Sequence, residues 1–375
     1  MQSAPVWNTS LLWILLVAGL PVLVWLDRFQ LSLIQGRRGV LRIAPPRLDG
    51  RALLQGAIEA YRRLVWPGED STSSELAWSR VWVPSLRTFL LLLALAAVPW
   101  GTSYALSGGE FRLVVADLEY AAAYVVGIAA LAALVSAVEA WGAGSGPDAG
   151  AALRSSAQTL AGHAALFASL LAMLLIYGTL DLGETVLAQQ SSLRALGFLQ
   201  AVWPAAAESA WVDSLRIPAW GIVLQPLAFA LFLVSALAWA GGAGIGDPRA
   251  GEGSGAPADP LRLDRRVQDL LMASLATCVF LGGWSLPWIS DIRLLAAWTP
   301  VLGGELAQFA LLLLHLLLFG LKVVSLLGLF TWVRVAGPFS RLERVLGFGW
   351  RRLFPLSLAN LVLTAAGIAA LGAGR

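Results

Sequence analysis

The sequence predicts an all-α fold, a polytopic membrane helix bundle of about eight transmembrane helices with both termini outside, and three observations carry that reading. Hydrophobic residues make up 58% of the 375 and charged residues 13%, with a mean hydropathy of +0.73; the charged share is about half that of a soluble domain. Apolar runs of about 18 residues or more recur along the whole length, enough for helices to cross a hydrocarbon core of ~30 Å. They are continuous rather than alternating, which excludes a transmembrane β-barrel. The basic residues are shared unequally between alternate connections, which sets orientation.

Taken in order, the first run, "WNTSLLWILLVAGLPVLVW", has no basic stretch before it and no small-residue cleavage site before Asp27. It reads as a retained span over 8–26 rather than a leader. The remaining spans fall at 83–105, 120–141, 160–180, 219–241, 267–288, 306–333 and 353–372. The connections after the odd spans hold nineteen basic residues: nine in 27–82, one in 142–159, four in 242–266 and five in 334–352. The connections after the even spans hold four, namely Arg112, Arg194, Arg216 and Arg293. The positive-inside rule places the odd connections in the cytoplasm and both termini outside.

The whole chain reads as one integral membrane domain, 1–375, with two cytoplasmic features. In "GRALLQGAIEAYRRLVW", residues 50–66, Leu53, Leu54, Ala57, Ile58, Tyr61, Leu64 and Val65 share one helical stripe, and Arg51, Gln55, Glu59, Arg62 and Arg63 lie opposite. This is an amphipathic interfacial helix, facing either anionic lipid or the rim of a cavity under a partner. Residues 242–266, beginning in "GGAGIGDPRAGEGSGAPADP" (241–260), have a Gly/Ala/Pro composition that reads as a flexible linker. On the outer side, "VLAQQSSLRALGFLQAVWP" predicts a short surface helix before Pro204. Many of the 17 tryptophans, among them Trp7, Trp25, Trp82, Trp100, Trp141, Trp203, Trp220 and Trp288, lie near span ends, as an interfacial belt requires.

Few residues can do chemistry. One cysteine, Cys278, and two histidines, His163 and His315, exclude an iron–sulfur cluster, a structural zinc site and a disulfide framework. A haem would need the two histidines as a pair. His315 in "LLLLHLLLFG" reads as mid-span and His163 as near a cytoplasmic span end, so their depths differ. His163 is either a hydrogen-bonded helix-interior residue or a titrating group, since ionisable side chains inside spans are costly. Lys322, the one lysine, lies about half-way along an apolar span, beyond the turn or so that snorkelling covers. It is expected to face the interior and pair with an acid or a carbonyl. Glu139 and Asp181, or an acid from a partner chain, are the candidate acids.

Several blocks resemble the large membrane-arm protein at the quinone end of respiratory complex I, a family comprising the bacterial H subunit and its mitochondrial counterpart. They are "DRFQLSLIQGRRG", "ALLQGAIEAYRRL", "VPSLRTFLLLLALAAVPWG", "ADLEYAAAYVVGIAAL", "ALRSSAQTLAGHAAL", "GTLDLGETVLAQQ", "QPLAFALFLVSALA" and "KVVSLLGLFTWVRVAGPFSRLERVLGFGWRRLFPLSLAN". The resemblance covers nearly the whole chain and implies the family's eight-helix fold in the inner membrane of a bacterial cell. It implies a component of a proton-translocating NADH:quinone oxidoreductase that forms part of the quinone chamber and docks the redox arm. Quinone is then a substrate, this chain binds no cofactor, and NADH, FMN and iron–sulfur clusters belong to partner subunits. The implied partners are the cluster-bearing soluble arm, the antiporter-like membrane subunits, quinone and the lipid bilayer; nucleic acid is not among them.

By the same resemblance, Asp27, Arg28, Gln55, Glu59 and Arg62 are quinone-chamber candidates. Lys322 and Glu343, which match the family's C-terminal block, together with Glu139 and His163, read from the residues as ionisable groups in or beside spans, are proton-path or buried-charge candidates, and Arg154, Gln158, Arg334, Trp350 and Arg351 are structural or docking candidates by the resemblance. The sequence also departs from the family. After "SSAQ" the family has Ser-Tyr-Glu, and this chain has Ala161, Gly162 and His163. Where the family carries the acidic loop "ETNRAPFDLPEAE", this chain has "WAGGAGIGDPRAGEGS", with Trp239 at the glutamate position and only Asp247, Pro248 and Glu252 similar. Two other readings share the same features: the homologous anchor of a membrane-bound hydrogenase, and a stand-alone transporter. The lack of an internal repeat speaks against the transporter.

Overall fold

The computed structural model describes residues 86–106, 109–142, 147–190, 192–194, 216–241, 260–336 and 349–373, together with Gly19, Val22, Leu26 and Gln30. Helices dominate them. In chain order they are α1 (Leu86–Ala96), α2 (Ala121–Gly142), α3 (Pro147–Tyr177), α4 (Leu182–Gln189), α5 (Gly221–Leu224), α6 (Pro226–Gly241), α7 (Pro260–Phe280), α8 (Asp291–Leu302), α9 (Gly304–Ala336) and α10 (Phe354–Ala373). A π turn, Gly349–Leu353, leads into α10. Three of these helices open on proline, whose missing N–H costs nothing in a first turn. Among the described residues there are also two small antiparallel strand pairs: β1 (Ser103–Leu106) with β2 (Gly109–Arg112), and β3 (Ser192–Arg194) with β4 (Arg216–Pro218).

The helix α3 is central, packed against α2, α6 and α10, while α7 lies between α6 and α9. Leu91, Leu95, Val125, Leu166, Met173, Phe232, Leu271, Phe280, Trp284 and Phe330 form one core, interleaved with Ala94, Ala129, Ala132, Ala228, Ala273 and Ala276. Without a hydrophobic drive between helices in lipid, small residues that let backbones approach supply the association. The outer faces stay apolar. On α9, Leu306, Leu313, Leu317 and Leu321 are exposed, and on α10 so are Leu356, Val362 and Leu363. Such rows suit contact with lipid or another membrane helix, not water.

The structure redraws several expected spans. In its described part the run 83–105 is helical from Leu86 to Ala96. Beyond it, Pro99 and Gly101 divert the chain, Trp100 N–H donates to Leu113 O, Ala116 N–H donates to Ala96 O, and β1 returns as β2. The run 160–180 belongs to a helix that starts at Pro147 and stops at Tyr177, followed by Gly178 with φ +69°. The chain then bends by 61° into α4, whose first turn is capped by Asp181 accepting from Gly183 N–H at 2.6 Å and Glu184 N–H at 3.3 Å. The surface helix expected before Pro204 is replaced, in its described part, by the end of α4 and the strand β3; residues 195–215 lie outside the described residues.

Among the described residues two helices, Gly304–Val333 and Arg351–Ala370, are long and apolar enough to cross a membrane, and the bent pair α3–α4 makes a third if counted as one span. Shorter apolar helices are Leu86–Ala96, Ala121–Val135 and Pro226–Leu237. The amphipathic helix 50–66 and the linker 242–259 lie outside the described residues.

A close backbone approach gives a test of this packing. A Cβ on Gly221 would strike the carbonyl oxygen of Val279 and the Cα of Phe280, whereas Gly367 on α10 faces open space. Gly221→Ala is expected to destabilise the protein by about 1–3 kcal/mol. Gly367→Ala is expected to be neutral or stabilising by up to about 1 kcal/mol. Detergent-denaturation midpoints of the two variants check this.

Candidate functional site

The helix α7 ends at Phe280, and its last carbonyls have no helical partner. Gly282 and Gly283 take left-handed φ of +70° and +52°, and Gly283 N–H bonds back to Thr277 O at 2.8 Å. The turn aims three carbonyls at one point. Lys322 Nζ, reaching across from α9, donates to Leu281 O at 2.8 Å, Gly283 O at 2.7 Å and Ser285 O at 2.9 Å. All three ammonium donors are used, and the charge sits at the negative end of the α7 dipole. The Trp220 ring lies 4.6 Å from the ammonium, in cation–π range. Trp220 thus serves the lysine as well as a span end.

Gln189 holds the same turn from its other side. Its Nε2 donates to Cys278 O at 2.6 Å and Thr185 O at 3.2 Å, and its Oε1 accepts from Gly282 N–H at 2.9 Å and Gly221 N–H at 3.2 Å. A fully buried amide with both donors and its oxygen in use is a rigid joint. The Cys278 thiol points to Pro99 O at 3.7 Å, and Ser285 Oγ donates to Gly282 O at 2.6 Å. Two helix ends, a long helix and two turns therefore converge around Lys322.

Two further polar groups are buried. Toward the start of α7, Arg87 Nη2 donates to Gln268 Oε1 at 2.6 Å, and Arg266 lies 3.5 Å from Asp269, whose side chain is almost wholly buried. At the hairpin end, Tyr104 and His315 are hydrogen-bonded at 2.7 Å, and His315 Nε2 lies 3.3 Å from Asp291.

Of the sequence candidates, Asp27, Arg28, Gln55, Glu59, Arg62 and Glu343 lie outside the described residues. Three residues beyond Asp27, Gln30 donates to Val324 O on α9 at 3.1 Å. Glu139 falls on α2, Arg154 and Gln158 on α3 one turn apart, Arg334 at the end of α9 and Trp350 in the π turn. Arg351 is exposed. His163 is buried on α3 with the Phe167 ring 5.9 Å away. Lys322 meets carbonyls, one of the two partner types expected, and the candidate acid Asp181 is occupied as the α4 cap. His315, inside the apolar helix Gly304–Val333, is hydrogen-bonded to Tyr104 and lies beside Asp291.

Four residues of these clusters, Gln189, Asp269, Asp291 and Tyr104, are not among the sequence candidates. Asp291 has a signal, since Ser-Asp before an apolar run marks a helix start. Asp269 is masked by neighbouring Arg265 and Arg266, which read as a solvated linker end. Nothing local distinguishes Gln189 or Tyr104, whose partners are far away in sequence.

Replacing Lys322 by Met strands three carbonyls, at about 1–3 kcal/mol for each buried group left unsatisfied. Lys322→Met is expected to lower the yield of folded protein severalfold and its denaturation midpoint, and Arg375→Met to change neither. Purification yield and denaturation in detergent measure both.

A profile of the family described as NADH dehydrogenase matches residues 8–243 and 252–365. Among curated proteins, the NADH-quinone oxidoreductase H subunit of Bdellovibrio bacteriovorus is 26% identical over 372 residues, covering 94% of this chain and 93% of that protein. The second NADH-quinone oxidoreductase H subunit of Cereibacter sphaeroides is 28% identical over 353 residues, covering 92% and 91%. The corresponding H subunit of Thermomicrobium roseum is 28% identical over 356 residues, covering 91% and 89%. With helices laid out as membrane elements and a profile matched along nearly its whole length, the chain belongs to the NADH dehydrogenase family, alongside the H subunits of NADH-quinone oxidoreductases.

Proposed function

We propose that this chain is the membrane component of a proton-translocating NADH:quinone oxidoreductase, forming the membrane wall of the quinone chamber and docking the cluster-bearing arm. The observation that carries this reading is the profile match, which runs from residue 8 to 365 and lapses only at 244–251. That lapse falls inside the Gly-rich connection where the family's acidic loop would be. In this reading the chain makes eight spans with both termini outside, in the inner membrane of a bacterial cell. Arg28, Gln55, Glu59 and Arg62, with Asp27, shape the chamber that quinone enters laterally from the bilayer. NADH, FMN and the iron–sulfur clusters reside in partner subunits, and electrons reach quinone from a cluster in the docked arm. Arg154, Gln158, Arg334, Trp350 and Arg351 support the fold and the docking face.

A proton path at the quinone end needs groups whose charge can change when reduction alters the local field, and buried carboxylates suit that. With His163 and Trp239 at two family acid positions, we assign transfer to a reduced set, chiefly Glu59 and Glu343, with Glu139 joining them.

Two measurements test this. Reporter fusions truncated after residues 150 and 345 are expected to report cytoplasm and a fusion at Arg375 the exterior; an external 242–266 segment overturns the topology. In vesicles containing the purified complex, NADH oxidation is expected to reduce quinone and pump protons, with Glu59→Gln and Glu343→Gln each lowering protons per NADH. Normal pumping in both variants removes the reduced set. Absence of quinone reduction under every condition overturns the chamber and favours a hydrogenase-type anchor.

A further inference from the structure

At the end of the bundle that carries α8 and the β1–β2 hairpin, three ionisable side chains form a chain of contacts. Tyr104 and His315 are 0% and 1% exposed. Tyr104 Oη lies 2.7 Å from His315 Nδ1. His315 Nε2 lies 3.3 Å from Asp291 Oδ1, and Gln190 Nε2 donates to Asp291 Oδ2 at 3.1 Å. Asp291 is 17% exposed and opens the chain to water. One proton arrangement, assigned from the network, satisfies every contact: the Tyr104 hydroxyl donates to Nδ1, and Nε2–H and the Gln190 amide both donate to Asp291.

Gly101, Thr102 and Ser103, just ahead of Tyr104 in the chain, line a cavity of about 270 Å³ together with Trp284, Asp117 and Asp181 among others. At ~30 Å³ per water molecule, several waters fit there. Gly101 meets the Tyr104 hydroxyl so closely that a Cβ would collide with it. The Trp284 ring, from the turn that Lys322 holds, lies 6.4 Å from the His315 ring. A mere strut between β1, α8 and α9 needs only a donor and an acceptor. An imidazole set between a hydroxyl and a carboxylate can also change charge without moving a heavy atom. Ionisable groups buried in a membrane protein are costly enough to carry a function by default.

We propose that Tyr104, His315 and Asp291 form a proton-holding site that exchanges with the water on the α8 side, which the arginine distribution makes the outer side. The proposal rests on the proton-translocating role above and adds an outer-side group to it. In uptake, a hydronium admitted from the cavity past Gly101 passes a proton to the Tyr104 oxygen while the tyrosine's own proton moves to Nδ1. One hydronium O–H bond breaks, one N–H bond forms, the hydroxyl turns from donor to acceptor, and no electron moves. The imidazolium then faces the Asp291 carboxylate, and release reverses the path. Among the described residues the charged groups around it are Asp291 from α8, Lys322 two turns along α9, and Asp181, Glu184 and Asp117 across the cavity, the last paired with Arg112.

The test uses the whole complex in vesicles, with isotope-labelled histidine. Infrared spectra are recorded as the outer pH is lowered, and the His315→Gln spectrum is subtracted from that of the unmodified complex. The expected result is an imidazolium band that appears in the difference, is lost in Asp291→Asn, which keeps an acceptor for Gln190, and returns in Asp291→Glu. In turnover, His315→Gln and Asp291→Asn lose the dependence of protons per NADH on outer pH, and Tyr104→Phe slows exchange. No imidazolium band at any pH, or variants that keep that dependence, overturns the site. If His315→Gln does not assemble, Asp291→Asn alone decides: an unchanged band overturns the proposal. A band in a complex that reduces no quinone leaves this site standing and removes the proposed function instead.

Discussion

A helix that stops within a membrane protein hands over to a turn whose carbonyl oxygens lipid cannot satisfy, and here one ammonium group satisfies three of them. Lys322 meets the carbonyls of Leu281, Gly283 and Ser285, so α7 can end at Phe280 and the chain can turn back. Everything beyond depends on that turn. Gln189 binds its inner side and links it to α5, Trp284 on it reaches His315, and Gly283 presses against Val186 of α4. In water the same carbonyls would bond to solvent and the lysine would be dispensable. In lipid each unsatisfied group costs several kcal/mol, which makes a single cation the organiser of four elements.

Charge at this joint is supplied by a residue rather than by a carboxylate pair. Among the described residues Lys322 is held by carbonyls and meets no carboxylate, so that hold on the turn does not depend on a second group's protonation. It also resists substitution by arginine, whose planar fork points five donors in fixed directions and cannot converge on three oxygens from one atom. The polar interior is therefore divided. The Lys322 joint is structural and saturated, while the Tyr104–His315–Asp291 contacts contain a group that can gain charge.

The residue pattern made the helical class legible because lipid imposes one rule everywhere: long apolar runs become helices. It was less informative where the chain leaves that rule. The hairpin after Ala96 depends on Trp100 and Ala116 finding backbone partners on the far side of a loop, and hydropathy does not encode such pairing. The bend after Gly178 was marked by a glycine followed by an Asp-containing cap, yet it lay inside a run read as one span. For the site, Lys322 stood out because a lone lysine in leucine-rich surroundings must be satisfied. Its partners did not, since carbonyls carry no sequence signature. Gln189 and Tyr104 were invisible for the same reason: their roles come from contacts 93 and 211 positions away along the chain.

The single cysteine has a practical consequence. Cys278 is fully buried and its thiol is directed at the Pro99 carbonyl, and thiols enclosed in apolar surroundings are poor nucleophiles. The natural chain is thus close to its own cysteine-less background. New cysteines placed along α8, α9 or α10 can report accessibility to bulky alkylating probes from either side of the bilayer, with little signal from the native thiol. Topology and partner contacts can then be mapped by chemical labelling without first re-engineering the core.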